Sequence, residues 1–75
     1  MRRFQARYSG AGEQPWEVVV GRESWGTLVL LFTPLAGGDV RKSVLAAETP
    51  LAAETELGAM TDDQLRVSLD SSSPW

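Results

Sequence analysis

Apolar side chains alternate with polar ones through the first part of the chain and recur at helical spacing in the last third. Phe4, Ala6 and Tyr8 fall on one side of an extended segment, with Arg3, Gln5 and Arg7 on the other. A period of two with one apolar side predicts a half-buried strand. Ser9-Gly10-Ala11-Gly12-Glu13-Gln14-Pro15 predicts a break, since glycine permits irregular backbone and Pro15 has no N–H to give a ladder. Trp16–Val20 predicts a second strand, with Trp16, Val18 and Val20 on one face and Glu17 and Val19 on the other. Residues 21–26 predict a turn. Thr27–Thr33 predicts a third strand, apolar on both faces through Leu28, Leu30 and Phe32 against Val29 and Leu31, as a central or doubly covered strand is.

Pro34–Asp39 predicts another turn, with Gly37-Gly38-Asp39 giving the backbone its freedom. Val40–Ala46 reads as a fourth strand, with Val40, Lys42, Val44 and Ala46 opposite Arg41, Ser43 and Leu45, although Leu45-Ala46-Ala47 can also lead into a helix. The pattern then changes. Thr49-Pro50 has the form of a helix start, Thr as N-cap and Pro at the first helical position. Ala53, Leu57 and Met60 follow at helical spacing, and Gly58 is the candidate stop. Thr61-Asp62-Asp63-Gln64 matches a capping box, with Met60 placed to staple onto Leu65. Asp62 and Asp63 sit where the helix dipole favours negative charge, and Leu65 and Leu69 form the apolar stripe. Leu45-Ala46-Ala47-Glu48-Thr49 recurs as Leu51-Ala52-Ala53-Glu54-Thr55. That period is far below the roughly 20 residues of a solenoid repeat, so it reads as local composition bias.

These elements predict an α+β fold. A three- or four-stranded antiparallel meander sheet over residues 1–47 is followed by two short C-terminal helices over 48–71, packed on one face. Residues 72–75 form a fraying tail unless Trp75 docks. A small, partly open β-barrel capped by one helix is the other arrangement the pattern allows.

Seventy-five residues make one small domain, in which nearly every large apolar side chain is needed for the core. Self-association is one way such a chain gains stability. The absence of cysteine fits a reducing compartment. No apolar run approaches the roughly 20 residues of a membrane span, and Phe4-Gln5-Ala6-Arg7-Tyr8 is no signal-peptide core. The cytoplasm is the expected location.

Charge divides the chain. Up to residue 42, Arg2, Arg3, Arg7, Arg22, Arg41 and Lys42 face Glu13, Glu17, Glu23 and Asp39, whereas beyond it Arg66 alone faces Glu48, Glu54, Glu56, Asp62, Asp63 and Asp70. Solvated helix faces account for the acidic half, and bulk electrostatics does not favour nucleic acid.

Histidine is missing along with cysteine. That removes the commonest general base, the usual zinc ligands and the Ser-His-Asp and Cys-His nucleophile arrangements. Gly10-Ala11-Gly12 and Gly37-Gly38 lack the Lys-Ser/Thr and the spacing of a phosphate loop and read as turns. Asp62 and Asp63, with Glu54, Glu56 or Asp70 nearby, suggest a Mg²⁺ or Ca²⁺ site, but the spacing matches no calcium loop and helix capping accounts for the aspartates. No enzyme activity, metal or cofactor is indicated.

Three tryptophans remain to be explained. Trp16 has the parity of a core residue. Trp25 lies in a predicted turn beside Arg22, where it either folds back over the sheet or stands out, with Trp75, as an anchor for a protein partner. The outer sheet face with Arg3 and Arg7 is a second candidate contact surface. Arg2, Arg3 and Arg7 with Tyr8 and Trp16 suggest a single-stranded nucleic-acid surface instead. Tyr8, however, lies on the opposite side of its strand from Arg3 and Arg7. The expected function is therefore a non-enzymatic protein-interaction or accessory module.

Overall fold

The computed structural model describes residues 1–8 and 12–75; the Ser9-Gly10-Ala11 part of the predicted break lies outside them. In chain order the elements are β1 (Arg2–Ala6), β2 (Gln14–Arg22), β3 (Leu28–Pro34), β4 (Arg41–Val44), α1 (Pro50–Ala59), α2 (Asp62–Asp70) and β5 (Ser73–Pro74). The strands form one antiparallel sheet in the order β1-β2-β3-β4-β5. This is the α+β arrangement that the pattern predicts, with one strand more.

Side-chain parity decides which face is covered. Phe4 pairs with Trp16, Val18 with Phe32 and Val20 with Leu30, so their side chains share one face. Ala53 and Leu57 of α1 and Leu65 and Leu69 of α2 close over that face. Val18, Phe32, Ala53, Leu65 and Leu69 are fully shielded. Phe4 meets Phe32 edge-to-face at 6.0 Å. On the other face, away from the core cluster that the helices close, Arg3 and Glu17, Val19 and Leu31, and Val29 and Val44 lie opposite each other, and Val29 is fully shielded there. Leu31 lies across the backbone of Gly21, where a Cβ would come within 2.5 Å of its Cδ1.

The helix starts follow their local chemistry. Thr49 accepts from the Ala52 N–H at 3.1 Å, and Pro50 opens α1. Thr61 accepts from the Gln64 N–H at 3.1 Å while Gln64 accepts from the Thr61 N–H at 2.8 Å, which completes the capping box. Met60 packs against the core beside it. α1 passes through Gly58 and stops at Ala59, where the Met60 N–H bonds to the Leu57 carbonyl. The stop comes from Met60 turning extended and from Arg2. The guanidinium donates to the Leu57 carbonyl at 2.8 Å and to the Met60 carbonyl, and its other nitrogen reaches Asp62 at 3.0 Å.

Two further expectations are corrected. Gln14 and Pro15 belong to β2 rather than to the break. The Pro15 carbonyl accepts from Leu35 just past the last β2–β3 pair, so the missing N–H falls where the ladder ends. Ser73 and Pro74, expected to fray, pair with Lys42 and Arg41. The Trp75 N–H continues this edge to the Val40 carbonyl at 3.1 Å. Among the described residues, no helix is long and apolar enough to cross a membrane.

Candidate interaction surface

The β2–β3 hairpin turns through Glu23, Ser24, Trp25 and Gly26. The Gly26 N–H bonds to the Glu23 carbonyl and the Glu23 N–H to the Thr27 carbonyl, both at 2.9 Å. Gly26 closes the turn at φ 91°, a left-handed conformation that a residue without Cβ adopts freely. This geometry sets Trp25 at the tip. It is 74% exposed, so it does not fold back over the sheet.

Arg22, the last residue of β2, is exposed, and its side chain makes no hydrogen bond or ion pair among the described residues. Glu23 and Lys42 meet at 2.8 Å, with the Glu23 side chain only 9% exposed. Lys42 Nζ also stands 5.7 Å from the centre of the Trp75 ring, within cation–π range. Arg22, Glu23, Ser24, Lys42 and Trp75 line one depression of about 470 Å³ beside the hairpin tip. Trp75 is 57% exposed. Arg22 and Trp75 therefore share one depression next to the hairpin that carries Trp25, while the Trp75 backbone lies at the Val40 end of β4 and the residue also borders Gly38, Asp39 and Val40.

Arg3 and Arg7 do not join them. Arg3 pairs with Glu17 at 3.4 Å on the uncovered face. Glu17 is five residues before Arg22 along β2, about 17 Å at the rise of a strand. Arg7 is exposed one step beyond the Ala6–Gln14 pair, further still. The residues nominated from the sequence thus divide between two ends of the molecule.

No family model, curated protein or solved structure matches this chain. Its chemistry must therefore be read from its own side chains.

Of the carboxylates weighed as cation ligands, Asp62 is engaged by Arg2 and Asp63 by Arg66 at 2.7 Å. Among the described residues, no three metal-ligating side chains converge.

A different cluster lies at the Arg7 end, on the covered side of the sheet. Tyr8 packs edge-to-face on Trp16 at 5.8 Å, and the Arg41 guanidinium lies 4.8 Å from the centre of the Tyr8 ring. With Gln14, Pro34, Gly37, Gly38 and Asp39 they line a cavity of about 290 Å³. Trp16 is 3% exposed, and its Nε1 is buried without an acceptor among the described residues. Such a donor costs about 1–3 kcal/mol. The shared parity of Tyr8 and Trp16 was visible in the sequence. The contribution of Arg41 was not, because it depends on pairing with Phe32 across the sheet.

Proposed function

We propose that the chain is a non-enzymatic protein-interaction module that presents the Arg22–Trp25 end of its sheet, with Trp75 beside it, to a partner protein. One observation carries this reading: Trp25 stands 74% exposed at the tip of a well-formed hairpin. An indole held there contributes nothing to the core. Its transfer from water into a partner's pocket is worth on the order of 3 kcal/mol. Arg22 beside it brings a guanidinium without a partner among the described residues, and Trp and Arg are both enriched at binding hot spots.

The test is capture of partners from native lysate on immobilised wild-type chain and on Trp25→Ala, followed by mass spectrometry. Thermal unfolding of both forms is measured alongside. The expected result is a partner retained by wild type and lost from the variant, with the unfolding curve unchanged. A partner set indifferent to Trp25, or a variant that unfolds, defeats the reading.

A further inference from the structure

We propose that the cavity at the Tyr8 end of the sheet binds a small carboxylate, held between the Arg41 guanidinium and the Trp16 indole N–H. Arg41 commits Nε and Nη2 to Ser72 and leaves Nη1 without a partner among the described residues. Trp16 Nε1 lacks a partner among the described residues as well. Both groups are donors that cannot accept, so the complementary ligand brings an acceptor. Beside a guanidinium, an ionised acceptor is the favoured one. The cavity volume of about 290 Å³ is at the lower bound of ligand pockets and suits a single-ring or short-chain acid. It is roughly ten times the share of one water molecule, so a lone water bridging the indole leaves most of the space and all of the charge unused.

Tyr8 forms one wall of the cavity. It lies beyond Ala6, the last residue of β1, and is held by its packing on Trp16 and beneath Arg41. Nε1 is shut from water although the indole lines the cavity, so the proposed binding includes a shift of the cavity wall that admits the ligand's acceptor to it. Asp39 stands exposed on the rim with the wrong charge for an anion, which fixes the sign of one arm of the test.

The experiment follows the Trp16 indole N–H by ¹H–¹⁵N NMR in a chain carrying Trp25→Phe and Trp75→Phe, so that a single indole resonance remains. Benzoate is titrated against benzamide and against sodium chloride at matched ionic strength. The expected result is a saturable downfield displacement with benzoate alone. The affinity should fall about tenfold in Arg41→Gln, as the loss of one charged hydrogen bond implies. Because Arg41 also holds Ser72, Asp39→Asn on the exposed rim supplies an independent arm, with affinity about threefold tighter at low salt. An unmoved indole resonance, an equal response to benzamide, or an affinity indifferent to both substitutions overturns the proposal. So does a long-lived water cross-peak to the indole N–H that persists through the titration.

Discussion

Arg41 grips Ser72 twice, Nε–H donating to the hydroxyl oxygen at 2.8 Å and Nη2–H to the carbonyl oxygen at 2.6 Å. Ser72 sits between the last turn of α2 and the two residues of β5, so this one side chain lays the end of the chain along β4. A two-residue strand has too few ladder bonds to hold itself. Arg41→Gln is expected to free it, at a cost of about 1–2 kcal/mol for two partly exposed charged hydrogen bonds. Hydrogen exchange reads the effect: the Trp75 amide, bonded to Val40, loses protection well beyond the global change seen at Val18 and Leu30. Unaltered protection at Trp75 shows that β5 is held by something else.

Arg2 performs the corresponding task at the α1–α2 junction. It adds a second donor to the Leu57 carbonyl, which already accepts the Met60 N–H, and a donor to the Met60 carbonyl just past the helix, and Asp62 balances its charge. Arg2→Ala should lower stability by about 1–2 kcal/mol, a fall of roughly 4–8 °C in melting temperature per kcal/mol in a chain of this size. Arg2→Lys keeps the charge without the fork and should recover less than half of the loss. Salt separates the two contributions, because it screens the exposed Asp62 pair and leaves the carbonyl bonds in place. A melting temperature unchanged by Arg2→Ala rules out the clasp.

Two glycines make opposite predictions from equally open surroundings. Neither Gly26 nor Gly58 has an atom within 4 Å of where a Cβ would stand. Gly26 has φ 91°, so Gly26→Ala strains the backbone and should destabilise by about 1–2 kcal/mol. Gly58 lies inside α1, where alanine is the better helix former, and Gly58→Ala should stabilise by about 0.5–1 kcal/mol. Urea unfolding of both variants checks the pair. Changes of the same sign would mean that the Trp25 hairpin is built differently.

Where a signal was local, the sequence carried it. Thr61 and Gln64 announce their helix start because both partners lie within four residues, and the parity of Phe4, Trp16, Val18 and Phe32 already divides core from outer face. What remained hidden depends on pairing across the chain. Two residues cannot display a period, so Ser73–Pro74 looked like a tail. Pro15 fits inside β2 only because the ladder ends at Trp16–Pro34. Gly58 resembled a stop because the clasp from Arg2, more than 50 positions away, was not visible. At the candidate surface, Trp25 and Arg22 are neighbours in sequence and could be nominated together. Their distance from Arg3 and Arg7 follows from register, and so does the meeting of Tyr8, Trp16 and Arg41.

The Glu23–Lys42 pair gives the sharpest stability test near the proposed contact surface. Glu23 is 9% exposed at its side chain and Lys42 26%, so solvent screens them less than the Arg3–Glu17 pair, in which Arg3 is 67% exposed. Burying two charges is costly, and the bond between them offsets that cost only while both are present. Lys42→Met keeps an aliphatic side chain at this position but strands the Glu23 carboxylate, and should destabilise by about 1–3 kcal/mol. Adding Glu23→Gln to that variant removes the stranded charge and should restore most of the loss. The double variant then lies closer to wild type than Lys42→Met does. Arg3→Met, at the exposed pair, should change stability by less than about 0.5 kcal/mol. Additive effects at Glu23 and Lys42 in urea unfolding would show that the two do not share a desolvated contact. In that event the hairpin tip would lack the rigid base on which Trp25 is held outward.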